Sequence, residues 1–198
     1  MNEEKTMLEG SGEIKEKVLK LEEKILRIFF ECAMYQALGE KWKDKTIVRA
    51  REKVLRNDHA MNYKSLTEAY DKKQDFAITD LDITALAALI VYDFRYACCC
   101  YKNLDDEKLR KLVSDIRRSV TAMAYFSYDL DVVREGLEQL REFVAFLEEN
   151  GWEYEANESF KEYLRKDGRA IDASRTFLTD VKNELLDCEI EVEKQKKQ

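Results

Sequence analysis

No proline occurs anywhere in the 198 residues. A proline ring lacks the amide hydrogen that the helical ladder needs and collides with the preceding turn, so a chain without one meets no obligatory helix break. Glycine, the other residue that weakens helix interiors, is present only six times. Long helices joined by tight connections are therefore expected. The predicted fold class is all-α: a single-domain antiparallel bundle of six or seven helices.

Apolar periodicity supports this reading along most of the chain. Ile14, Val18, Leu21, Ile25, Phe29 and Cys32 recur at three- and four-residue steps and define a first helix that Gly39 should end. After a short basic link, Ile47, Ala50, Val54 and Leu55 make a second helix, interrupted by the polar run RNDHAMN. Asn62 or Ser65 caps a short piece that runs through Tyr70. Asp80 or Asp82 caps the third main helix, whose stripe is Ile83, Leu86, Ala87, Ile90, Phe94, Ala97 and Tyr101. Asp105 and Asp106 start the fourth, with Leu109, Leu112, Val113, Ile116, Val120 and Met123 inward. Asp129 or Asp131 caps the fifth, which Gly151 closes, and Gly136 inside it implies close helix packing. Residues 152–198 read as a C-terminal helical extension: one short helix from Asn157 to Arg165, a stop at Gly168, then a long helix from about Asp172.

The formal charge is −7, from 34 Lys and Arg against 41 Asp and Glu, which disfavours indiscriminate attraction to nucleic-acid phosphates. Two stretches run against that mean. Residues 41–56 hold seven cations and two anions, and residues 108–118 hold five cations and one anion. Lys41, Trp42, Lys43, Arg49, Lys111 and Arg117 are thus the candidate nucleic-acid contacts, with Trp42 available to stack a base. The alternative is that both stretches are solvated helix faces balanced by acidic neighbours. The longest nearly apolar run, residues 83–92, is half of the roughly 20 residues a membrane span requires, so no membrane association is expected. The start of the chain has no export pattern, and five cysteines, three of them adjacent, make a poor disulfide framework; a reducing cytoplasm is the expected location.

Histidine occurs once, as His59. Di-iron bundles and zinc peptidases require more imidazoles than that, and a His-dependent triad would have to assemble around a residue in a polar break. Cys98, Cys99 and Cys100 point about 100° apart on a helix and cannot converge on one ion. Asp105, Asp106 and Glu107 sit where a helix N-terminus favours anions. No glycine-rich phosphate loop is present. No cofactor and no metal are expected.

Residues 80–148 include LDITALAALI and KLRKLVSDIRRSVTAMAYFSYDLDVVREGLEQLREFVAFLE. This stretch resembles the core helices of the HEPN superfamily, helical domains found in RNA-targeting toxins and CRISPR effectors. In that family an arginine and, a few residues on, a histidine carry metal-independent RNA cleavage. In the register that best aligns VSDIRRSVTAMAY, the arginine position falls on Val120 and the histidine position on Tyr125, so the pair is not retained. The resemblance leaves Arg118 and Tyr125 as candidate catalytic residues, set against exposed arginines and a packing tyrosine. It implies self-contact across Arg117 to Tyr125. The function expected is that of a non-enzymatic helical domain acting through a protein partner or a homodimer. The alternative is a metal-independent endoribonuclease or RNA-binding protein.

Overall fold

The computed structural model describes residues 2–58, 60–73, 81–92, 106–125, 129–152, 157–174 and 176–197. Among them every element is helical and no strand occurs, as the proline-free sequence predicts. Eight α-helices have nine residues or more: α1 (Asn2–Leu38), α2 (Trp42–Leu55), α3 (Ala60–Lys73), α4 (Ile83–Tyr92), α5 (Asp106–Tyr125), α6 (Leu130–Glu149), α7 (Glu158–Lys166) and α9 (Phe177–Lys196). A five-residue helix, α8 (Ala170–Ser174), lies between the last two.

α1 is the spine of the bundle. Its predicted stripe is buried, and from Ile28 to Met34 every residue is buried on all sides, Glu31 included. The segment is enclosed because α9, α4, α6 and α2 all lie against this helix. α5 pairs with α6, α4 with α5, and α9 lies along both α1 and α6. α4 carries no charge between Ile83 and Val91, and Leu86 to Ile90 are all buried, as expected of a helix with neighbours all round. One continuous core draws side chains from every helix among the described residues.

The ends follow the predicted signals, and geometry settles the alternatives. Gly39 at φ 72° and Gly151 at φ 63° take the left-handed conformation that ends α1 and α6. Asp82 caps α4 by accepting from the Ala85 amide at 2.7 Å; Asp80 lies outside the described residues. Asp129 caps α6 by accepting from the Asp131 amide at 2.9 Å. Asn157 caps α7 by accepting from the Phe160 amide at 3.0 Å.

Three expected boundaries need correction. The basic link after Gly39 is only a 3-10 turn, Gly39–Lys41, and α2 already begins at Trp42. α3 begins at Ala60, ahead of both Asn62 and Ser65. The long final helix does not start near Asp172: α8 stops at Ser174 and α9 starts at Phe177 after an N-cap at Thr176. The break lets Ala173 and Phe177 both reach the core. At Gly136 the close packing is real, since a Cβ added there would lie 3.1 Å from Met123 Cε and 3.5 Å from Glu22 Oε1. His59, Cys98 to Cys100 and Asp105 lie outside the described residues.

Candidate functional site

α5 carries the most polarised surface pattern of the predicted site residues. Its inward stripe, Leu109, Leu112, Val113, Ile116 and Met123, is buried, which turns the intervening positions outward. Ser114, Arg117, Arg118, Thr121, Ala122 and Tyr125 line one open hollow along that outward side. Lys111 stands one turn earlier on the same strip and is exposed. Arg117, Arg118 and Tyr125, singled out from sequence, are therefore brought together; Ser114, Thr121 and Ala122 were missed, although the same three- and four-residue spacing marks them.

The strip is electropositive and open. Tyr125 is 80% exposed at the end of the helix. The Arg118 side chain is 76% exposed and donates to Asp115 at 3.0 Å, a pair one turn apart that holds the guanidinium along the helix. Thr121 Oγ1 donates to the Arg117 carbonyl at 3.2 Å, so its proton is spent within the helix while its lone pairs stay free. Among the described residues no carboxylate pairs with Arg117 or Lys111, and no histidine, cysteine or carboxylate lines the hollow. Guanidinium groups hold their charge throughout the accessible pH range, so the strip offers fixed positive charge, hydroxyls and one aromatic ring. That set recognises anions and flat apolar groups.

The second basic stretch, residues 41–56, folds differently from expectation. Trp42 is fully buried and cannot stack a base: its ring meets Phe30 edge-on at 6.1 Å and its Nε1 donates to Tyr163 Oη at 3.1 Å. A large amphipathic ring is worth more inside the core, with its one polar atom satisfied, than on the surface. Lys43 lies 6.0 Å from that same ring, and Nε and Nη1 of Arg49 are buried. Arg51 pairs with Asp71, and Lys53 donates to Asp58 at 2.7 Å. Lys41 is exposed. The stretch is thus split between the core, two cations paired with carboxylates, and exposed cations such as Lys41.

Beside Trp42 lies a buried ionic cluster that no sequence argument had named. Glu31 is fully buried in α1, and one of its oxygens accepts from Arg169, which also donates through Nε to Asp172 at 2.9 Å. Burial holds the Glu31 carboxyl above the ordinary carboxylate range, with the Arg169 guanidinium opposing it. Burial works against the Arg169 charge, but Glu31 and Asp172 more than reverse that effect. Burial likewise pushes the Tyr163 hydroxyl up to about 12. A second interior acid, Glu22, lies between α1, α5 and α6, with Ser119 of α5 against it at 3.0 Å. Ser119 is buried and so faces away from the α5 hollow, which keeps this acid out of reach of Arg118 and Tyr125. The sequence signal for both was a glutamate embedded in an apolar stripe.

Among the described residues no group of three or more His, Cys, Asp or Glu is placed to hold a metal. Cys32 and Cys188 are buried, and burial pushes the Cys188 thiol up to about 11, which makes it a poor nucleophile. No described helix is long and apolar enough to cross a membrane. No family model, no curated protein and no solved structure matches the chain.

Proposed function

We propose that this chain is a non-catalytic interaction domain that docks an acidic segment of a partner protein on the outward strip of α5. The observation that carries the reading is the joint exposure of Arg118 and Tyr125 beside Arg117 in a hollow without a lining carboxylate. Tyrosine and arginine are the side chains that most often dominate binding energy at interfaces, because each combines a large apolar surface with a directional polar tip. A solvated strip of this kind on a chain of formal charge −7 is a local reversal of sign, and reversal of sign selects an anionic ligand.

The occupant is a different protein rather than a second copy. A symmetric pairing through this strip would set Arg117 and Arg118 against themselves or close to it, and like charges across an interface are costly. The resemblance to HEPN domains supports the location, since members of that family commonly pair through the corresponding helices. RNA is the competing occupant, because guanidinium groups and an aromatic ring also suit phosphates and bases. Against it stands the loss of the family's arginine and histidine pair at Val120 and Tyr125, and the burial of Trp42.

Fluorescence anisotropy with three labelled probes tests the reading: an acidic amphipathic peptide of Glu-Glu-Leu-Phe repeats, its Lys-substituted counterpart, and a single-stranded RNA of matched length. The expected result is saturable binding of the acidic peptide alone, weakened at least about tenfold in an Arg117→Ala, Arg118→Ala, Tyr125→Ala variant, since truncated interface anchors each cost above about 1 kcal/mol. Peptide binding that ignores the triple substitution, or preferential binding or cleavage of the RNA in EDTA, would overturn it. Light scattering that shows a dimer dissolved by the same substitutions would overturn the choice of partner.

A further inference from the structure

The hydroxyl of Ser119 is placed against two oxygens at once. Its Oγ lies 2.8 Å from the Ile116 carbonyl oxygen and 3.0 Å from Glu22 Oε1. A serine hydroxyl owns a single proton, and a backbone carbonyl has none to offer. Were Glu22 ionised, one of these two short oxygen–oxygen contacts would have no hydrogen in it and would be repulsive. A proton on Glu22 resolves both: Ser119 donates to Ile116, and Glu22 donates to Ser119. The other carboxyl oxygen, Oε2, is buried with no hydrogen-bond partner among the described residues. An unpartnered carbonyl oxygen of a neutral acid is tolerable in a core, whereas an unpartnered anionic oxygen is far more costly.

Among the described residues no cation is paired with Glu22 to favour the ionised form. Facing Glu22, α5 brings Ser119 and Met123, and α6 brings Gly136, whose missing side chain leaves the space the carboxyl group occupies. Several charged residues of the surrounding helices are paired with one another. Asp115 pairs with Arg118 on α5, Arg134 with Asp131 and Glu138 on α6, and Glu23 with Arg27 on α1. From α9, Glu184 pairs with Lys24 and Glu191 with Lys17. α4 has no acid or base between Ile83 and Val91.

We propose that the junction of α1, α5 and α6 is a proton-binding site: Glu22 is held as a neutral carboxylic acid that donates to Ser119, and loss of that proton loosens the junction. Burial agrees in direction, since it pushes the Glu22 carboxyl up to about 8 against the opposing pull of a Ser119 hydrogen bond. Because the folded value is raised above the unfolded one, the folded chain binds one proton more than the unfolded chain between about 4.5 and about 8. The stabilisation is complete below that window and is lost as pH rises through it.

Carbon NMR of the unsubstituted protein labelled at the glutamate carboxyl carbon, with Glu22 assigned through its backbone, reads the proton directly. The expected result is a protonated Glu22 signal at pH 6 that moves only on approach to pH 8. Urea unfolding of the wild type and Glu22→Gln, compared between pH 5 and 8, reads its consequence. The wild-type folding constant should fall about tenfold per pH unit relative to the variant, the slope for one bound proton. A Glu22 signal already ionised at pH 6, or wild-type and Glu22→Gln stabilities that run parallel in pH, would overturn the proposal; if the variant does not fold, the NMR titration decides alone.

Discussion

Arg169 reaches back across 138 positions of sequence to the carboxylate of Glu31, tying the turn before α8 to the buried middle of α1. One partner of this pair is fully enclosed and the other is 21% exposed, so water cannot replace a lost contact on the Glu31 side. Arg169→Ala should therefore destabilise the fold by about 3–5 kcal/mol, the range for an uncompensated buried charge. The deficit should shrink as pH falls, because a protonated Glu31 needs no counter-charge. Urea unfolding at two pH values checks both statements, and a loss below 1 kcal/mol would mean that Glu31 is hydrated after all.

Trp42 and Tyr163 should be coupled in a way that fluorescence can follow. Tyr163→Phe removes an acceptor of the indole N–H, leaves the ring packing against Tyr35 and Phe160, and should cost about 1–3 kcal/mol through the lost buried hydrogen bond. The Trp42 emission should shift as well. An unchanged stability and spectrum would show that the indole finds another acceptor.

Gly136→Ala sets helix propensity against space. The alanine gains about 1 kcal/mol as a helix former, while its Cβ would press on Met123 Cε at 3.1 Å in a fully buried site, an overpacking cost of about 1–3 kcal/mol. The net effect should be a loss of about 1 kcal/mol, from the difference of these two terms. In a Met123→Val background, which lacks the offending methyl, the same change should become stabilising. A double-mutant cycle with no coupling between the two positions would refute the steric account.

Asp129→Ala should cost about 1 kcal/mol by removing the cap of α6. Asp131→Ala should act differently. Its carboxyl is held below the ordinary range by the hydrogen bond from Lys196, yet it is fully exposed, so the effect of its loss should fade in high salt. Thermal melts at low and high ionic strength separate the cap from the ion pair.

Much of the scaffold could be read from local pattern alone. Gly39 and Gly151 end helices where a left-handed residue was expected, and the α5 stripe from Leu109 to Met123 is buried as its spacing predicts, except that Val120 is only partly buried. Arg117, Arg118 and Tyr125 share a face because spacing on one helix is local information. What was illegible depended on distant parts of the chain. Trp42 sits among lysines in sequence, but the residue that accepts its N–H lies 121 positions away. Nothing beside Glu31 in the sequence marks its partner, because Arg169 lies 138 positions away. Asp129 and Asp131 were equally good caps by composition, and only hydrogen-bond geometry separates them.

The pairing of α1 with α9 also constrains when the molecule can be completed. Lys17 and Glu191 meet across 174 positions, so α1 is made long before α9, which covers part of its apolar face. Contacts of such high sequence separation close late and slowly. Until α9 has been added, the part of α1 that it covers must wait unshielded, and nascent-chain chaperones have a long interval in which to hold it.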